Sequence, residues 1–235
     1  MIPKAAYAQA EKANKRLPDL EHLILQDAEY AYLYSRDIIK GRWLEAEPII
    51  MQNAEYACLY ARDIQGRWPE AEPIIVQCTK SAFYYARDVI KGRWPEAEPV
   101  IAKYARWAYY YACDIIKDRW LESEPTIMQS AEYTSYYACN IIKGRWHEAE
   151  LVIMKSAEWA YYYARDVIKE RWPEAEEIIA GTPFQSMYIA DFFDESVITK
   201  NKVEPFIWDR NKQVGYFAPA SIFKDKISLL DMVIT

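Results

Sequence analysis

The stretch GRWPEAEP, Gly92–Pro99, stands a second time at Gly66–Pro73. Near copies occur as GRWLEAEP (Gly41–Pro48), DRWLESEP (Asp118–Pro125), GRWHEAEL (Gly144–Leu151) and ERWPEAEE (Glu170–Glu177). Six copies of one phrase point to a repeat architecture. Aligned on Arg-Trp, the chain divides into units of 26 residues at 28–53, 79–104, 105–130, 131–156 and 157–182. The unit at 54–78 is one residue short, reading DIQG where its neighbours read DIIKG or DVIKG. KRLPDLEHLILQD at 15–27 follows the pattern of GRWLEAEPIIMQN at 41–53, with Leu17 in the tryptophan position, so a degenerate unit precedes the six. Terminal units of stacked arrays diverge because one of their faces has no neighbour.

Each unit reads as two helices. The first is AEYAYLYSRDIIK, 28–40, followed by Gly41. Lysine in the last turn with glycine beyond it is a helix-stop signal. Asp27, Asn53, Ser130 and Ser156 stand where an N-cap belongs. Tyr30, Tyr34 and Ile38 share one face, with Ala31, Ser35 and Ile39 beside them as a wide core stripe. The second helix is shorter, from about Pro69 to Gln77 in the second unit. Pro69 suits a first helical turn, but Pro73 would delete a backbone bond from a helix begun there. PEAE is therefore expected to be a tight turn, with the helix starting at Pro73. Helix pairs this short cannot bury their apolar faces alone, whereas stacked pairs can.

The expected fold is thus mainly α: an α-solenoid of short two-helix repeats with a 26-residue period and a small C-terminal α+β cap. Residues 1–27 form the degenerate N-terminal capping repeat, 28–182 the six helical-hairpin repeats, and 183–235 the small C-terminal α+β region. Within the phrase, Gly41 is expected to take the left-handed turn that ends the first helix. Trp43, Trp68, Trp94, Trp120, Trp146 and Trp172 read as wedges between successive units. Ile50, Ile75, Ile101, Ile127, Ile153 and Ile179 hold one repeat position without exception and read as core. Glutamate pairs such as Glu96 and Glu98 fall in a first turn, where the helix dipole favours negative charge. Arg93 and its counterparts can bridge to them. On this reading the phrase recurs as a folding device.

YARDVIKGRWPEAEP at Tyr85–Pro99 and YARDVIKERWPEAE at Tyr163–Glu176 resemble a tyrosine-rich helical repeat of uncharacterised bacteriophage-encoded proteins. The resemblance covers 28–182 and implies a phage or prophage setting and a helical array, with no activity attached. The chain departs from the pattern at Cys113, Cys139 and Asn140, where arginine or aspartate would be expected.

Composition narrows the classes. Of 235 residues 52% are hydrophobic, which argues against a disordered chain. No apolar run reaches the length of a membrane span, and the N-terminal segment lacks the apolar core of a secretory signal. The expected location is cytoplasmic, in the host bacterial cytoplasm if phage-encoded. Cys58, Cys78, Cys113 and Cys139 show no CxxC spacing, and with only 2 histidines no zinc ligand set emerges. No cofactor or metal is expected. A formal net charge of −6 disfavours a general nucleic-acid binder. No phosphate-cradling, nucleophile-elbow or zinc-protease motif is present.

The candidate binding residues lie at the sixth position of each unit: Leu33, Leu59, Tyr84, Tyr110, Tyr136 and Tyr162. Helical spacing sets Arg87 and Lys91 beside Tyr84, and Arg165 and Lys169 beside Tyr162. Tyrosine and arginine are enriched at interface hot spots. The plainer reading packs these tyrosines laterally between neighbouring first helices. A second feature is the arginine ladder Arg16, Arg42, Arg67, Arg93, Arg119, Arg145 and Arg171. It could track a phosphate backbone, but two glutamates lie within five residues of each arginine of the six clear units, which favours local ion pairing.

Periodicity is expected to stop near Gly181-Thr182-Pro183. FIWDRNKQVGYF, 206–217, reads as a β-hairpin. Asp191, Asp194 and Glu195 form a carboxylate cluster that reads as a solvated turn or helix start in preference to a metal site. The leading functional expectation is a non-enzymatic protein-interaction scaffold that binds or inhibits a host defence protein, with Tyr84, Arg87, Tyr110, Tyr136, Tyr162 and Arg165 at the interface. The alternative is a nucleic-acid-related role, as an acidic mimic or as a binder through the arginine ladder. Self-association is left open.

Overall fold

A computed structural model describes residues 2–193 and the backbone of two short strands, Ile207–Asp209 and Val214–Tyr216, which pair antiparallel within the expected hairpin. The expected docking of this region as a cap, and Asp194 and Glu195, lie outside the described residues. The chain divides into two compact units, Met1–Ser123 and Glu124–Thr235. The described residues are mainly helical, and their helices pack in a recurring pattern consistent with an α-solenoid.

The first helices begin where their caps allow. Asp27 accepts from the backbone N–H groups of Glu29 and Tyr30 at 2.9 and 3.3 Å, Asn53 does the same for Glu55 and Tyr56, and Ser130 and Ser156 each take one such bond. Seven residues of α-helix follow, such as Ala28–Tyr34 and Ala54–Tyr60, and Thr79–Tyr85 has the same length without a side-chain cap at Cys78. The expected helix to residue 40 then changes character. Ser35–Ile39, Ala61–Gln65, Ala86–Ile90 and their counterparts form a wider π-helical turn, a geometry that is rare and confined to short stretches. Its first residue is a buried serine or alanine in every unit.

The turn ends on an unexpected residue. Lys40, Lys91, Lys117, Lys143 and Lys169 take the left-handed conformation, with φ from 57° to 62°. Gly41, Gly92 and Gly144 do not, which corrects the assignment of Gly41. Each lysine N–H closes onto the carbonyl five residues back, for example Lys117 onto Ala112 at 2.7 Å. That bond holds an L-residue where it would otherwise cost about 1–2 kcal/mol. The short unit has lost this lysine. Gly66 takes its place at φ 82° and ψ −155°, a region open essentially to glycine alone.

The second helices show what the second proline does. With Pro48, Pro73, Pro99 or Pro125 present, the α-helix is only four residues long, as in Glu72–Ile75, and the PEAE segment is a tight turn. Ala71 and Glu72 donate there to Trp68 and Pro69 at 3.0 and 3.2 Å. Where the proline is replaced, by His22, Leu151 or Glu177, the helix runs seven residues: Pro18–Ile24, His147–Ile153 and Pro173–Ile179. Proline has no N–H for the carbonyl four residues back, so its presence delays the helix by almost a turn. The expected turn holds, although the helix starts one residue before the proline.

The core is built on the seventh-position tyrosines Tyr34, Tyr60, Tyr85, Tyr111, Tyr137 and Tyr163, all fully buried. Of the predicted stripe, Tyr34, Ala31 and Ser35 are buried, while Tyr30, Ile38 and Ile39 are half-buried. Each seventh-position ring tilts against its own unit's tryptophan, with centroids 5.1 Å apart for Tyr34 and Trp43 and for Tyr85 and Trp94. Its hydroxyl reaches the preceding unit. Within each compact unit it accepts there from the tryptophan backbone N–H, at 2.8 Å for Trp43 and Tyr60 and 2.7 Å for Trp94 and Tyr111. It also donates to the phrase's second glutamate, at 3.1 Å from Tyr111 to Glu98 and 3.3 Å from Tyr163 to Glu150. The arginine before the tryptophan clamps that glutamate through two N–H groups, both at 2.7 Å from Arg93 to Glu98. Leu17, Glu21 and Arg16 build the same latch with Tyr34 in the degenerate first unit.

This latch sets the titration of its members. The Arg93 guanidinium holds the Glu98 carboxyl below its ordinary value. Burial pushes the Tyr85 and Tyr163 hydroxyls up to about 12, with the neighbouring glutamate adding to the effect. A raised folded-state value means that stability is complete below the ordinary 10.0 and is lost as pH climbs toward 12.

Two outcomes are expected. Gly66→Ala should destabilise the protein by about 1–3 kcal/mol in urea unfolding, because alanine is strained at that φ, whereas Gly41→Ala should be neutral or slightly stabilising. In an alkaline titration the buried tyrosines should ionise in one step together with loss of helical circular dichroism between about pH 10 and 12. Ionisation of all tyrosines near pH 10 with helicity intact would contradict the buried latch.

Candidate partner-binding surface

The sixth-position side chains flank the core instead of opposing it. Tyr84, Tyr110 and Tyr162 are half-buried, and Tyr136 is 38% exposed. Their ring partners come mainly from the third position of the next first helix. In the first unit of the fold, Tyr84 meets Trp107 edge-on at 6.0 Å, and Phe83, fully buried, meets Trp107 at 5.4 Å and Tyr110 at 6.2 Å. In the second, Tyr136 meets Trp159 edge-on at 5.0 Å, and Trp159 meets Tyr162 at 5.7 Å. Lateral packing and partial exposure therefore hold together: one edge of each ring is fixed and another faces solvent.

The arginines cover ring faces. Arg87 sits 4.8 Å over Tyr84 and Arg165 4.8 Å over Tyr162, while each forks onto the aspartate that follows it, Asp88 or Asp166. The structure thus brings Tyr84 and Arg87 together with Tyr110, and Tyr136 together with Tyr162 and Arg165. Sequence reasoning missed the third-position rings Trp107 and Trp159, although both stand at helical spacing from the sixth.

A second hydroxyl latch runs beneath this surface. Tyr7 donates to Asp37 at 2.9 Å, Tyr32 to Asp63 at 2.6 Å and Tyr161 to Asp191 at 2.7 Å. The last of these reassigns Asp191. Gln185–Phe192 is a helix in which Tyr188 takes the seventh position, bonding Trp172 N–H and Glu176, and Asp191 takes the tenth. Phe184 packs on Tyr161 and Tyr162 at the third position, at 6.1 and 6.2 Å. A further first helix therefore continues the pattern past Gly181, where periodicity was expected to stop. Its signal was Tyr188-x-x-Asp191, obscured by Gln185 and Ile189 at positions that hold alanine, threonine or serine elsewhere.

The arginine ladder is committed to structure. Arg16, Arg42, Arg67, Arg93, Arg145 and Arg171 each fork onto the glutamate five residues on. The first glutamates of the phrase, Glu45, Glu70, Glu96, Glu122, Glu148 and Glu174, are all exposed. The four cysteines are free thiols, and burial pushes Cys58 up to about 12, far from the range of a reactive thiolate. No helix among the described residues is long and apolar enough to cross a membrane.

No family of known proteins, no curated protein and no solved structure matches the chain. The likeness to phage-encoded repeats accordingly stays an expectation, and the functional reading rests on geometry alone.

Proposed function

We propose that the protein is a non-enzymatic protein-interaction scaffold, an array of stacked helix pairs in the manner of an α-solenoid that engages its partner through the aromatic and arginine surface of its first helices. One observation carries this reading: the half-buried rings of Tyr84 and Tyr162 each meet a ring of the next first helix and are each covered on a face by arginine. Such rings are preorganised, so little side-chain entropy is lost when a partner covers them. Tyr84, Arg87, Tyr110, Tyr136, Tyr162 and Arg165 are the interface residues, joined by Trp107 and Trp159. In the phage setting that the sequence resemblance implies, the partner would be a host protein, and inhibition of a defence protein would be the biological outcome.

The exposed glutamate of each phrase favours a second reading, an acidic surface that occupies a basic nucleic-acid cleft. Tracking of a nucleic acid by the arginine ladder has less support, because those guanidiniums already hold carboxylates.

In affinity capture from bacterial lysate treated with nuclease, the full chain should retain a protein partner. Tyr84→Ala with Tyr136→Ala should weaken that retention about tenfold or more with helicity unchanged. Retention that survives these substitutions but vanishes in moderate salt would favour the acidic reading. Loss of helicity in either variant would show the rings to be structural.

A further inference from the structure

The first helices differ in charge along the chain. The two at 28–40 and 54–65 carry three cations (Arg36, Lys40, Arg62) against four carboxylates (Glu29, Asp37, Glu55, Asp63). The next two, at 79–91 and 105–117, carry five cations (Lys80, Arg87, Lys91, Arg106, Lys117) against two carboxylates (Asp88, Asp114). The change comes mostly from the second position of the unit. It is glutamate in Glu29, Glu55, Glu132 and Glu158, but lysine in Lys80 and arginine in Arg106.

These cations do not stand alike. Lys80 pairs with Glu55 at 3.0 Å, and Arg87 forks onto Asp88 and lies 3.8 Å from Asp114. Arg106 is exposed and has no carboxylate partner among the described residues. Its guanidinium lies instead over rings, 5.1 Å from the Trp107 centroid and 5.9 Å from that of Tyr110. A guanidinium over a ring face can still offer its N–H groups to a planar anion. The Trp107 ring in turn lies 6.0 Å from that of Tyr84 and 6.3 Å from that of Tyr110, and all three are half-buried.

We infer that the surface around Arg106, Trp107, Tyr84 and Tyr110 docks an acidic segment of a protein partner, a carboxylate forking onto Arg106 while an apolar side chain of the same segment covers the exposed ring edges. The inference rests on the scaffold reading and names the partner chemistry for one part of it. A carboxylate suits the free guanidinium fork in geometry and charge. A single-stranded nucleic acid suits the surface less well. Base stacking needs open ring faces, and one face of Tyr84 and one of Trp107 are already taken by Arg87 and Arg106. The chain as a whole, at −6, also repels a long polyphosphate.

The test uses the full chain as bait in selection from a random twelve-residue peptide library, with Arg106→Glu as the comparison. Glutamate already occupies this position in four other units, so the variant should keep the helicity and melting temperature of the parent. Enriched peptides should carry an excess of Asp and Glu with at least one large apolar residue. Their affinity should fall about tenfold or more in Arg106→Glu. No enrichment, enrichment without acidic excess, or equal affinity for the variant would overturn the inference. So would a twelve-nucleotide RNA that displaces the peptides at equal concentration, which would assign the surface to nucleic acid. If a captured protein partner depends on Tyr84 and Tyr136 but not on Arg106, the scaffold reading stands and the acidic-segment inference falls.

Discussion

A tyrosine hydroxyl held between units is the contact on which the rest of the fold depends. The hydroxyl accepts from a tryptophan backbone N–H and donates to a glutamate, and an arginine clamps that glutamate from outside. All three partners come from one phrase, and the tyrosine comes from the unit that follows. The recurrence of the phrase is thereby explained. Its arginine, tryptophan and second glutamate form a receptor for the next unit, while the alternation of small and large side chains fills the space between. Helices of four to seven residues have little stability of their own. Buried hydrogen bonds repeated at the junctions within each compact unit supply both cohesion and register, because a repeat slipped by one residue would leave a buried N–H and a carboxylate unsatisfied.

The same constraint frees another surface. The arginine ladder, which in isolation invites a nucleic-acid reading, is occupied inside the latch. The third- and sixth-position rings make no part of it, and on the proposed scaffold reading they are where a partner would bind. The Tyr7–Asp37 and Tyr32–Asp63 bonds fix the aspartates that Arg36 and Arg62 fork onto, so the positions of Arg36 and Arg62 follow from inter-unit packing. Arg106 escapes this arrangement because it sits at the start of its helix, eight residues before the aspartate Asp114. A partner can therefore claim it without breaking a structural ion pair.

Much of the unit was legible in the sequence. The caps at Asp27, Asn53, Ser130 and Ser156 and the PEAE turn follow from local chemistry that acts within four residues. The π-helical turn was not legible, since a five-residue widening hardly alters the side-chain period. Lys40 in the left-handed region was hidden by Gly41, the residue that propensity favours for that role. The latch was half-visible. Tyr34, Tyr60, Tyr85, Tyr111, Tyr137 and Tyr163 hold their position without exception, as the isoleucines do, but among 20 tyrosines their invariance was diluted by others nearby. Among the surface residues, Tyr84 and Arg87 were found by helical spacing. Trp107 and Arg106 were not, because their meaning depends on the neighbouring helix.

The measurement that bears most directly on this account is a double-mutant cycle on Tyr111 and Glu98, with Tyr111→Phe, Glu98→Gln and the pair compared by urea unfolding. The hydroxyl and the carboxylate lie 3.1 Å apart across a unit junction. The latch predicts that Tyr111→Phe alone costs about 1–3 kcal/mol and that the two substitutions couple by about 0.5 kcal/mol or more. Strict additivity, with Tyr111→Phe costing nothing, would contradict it and leave the repeated phrase without its structural explanation.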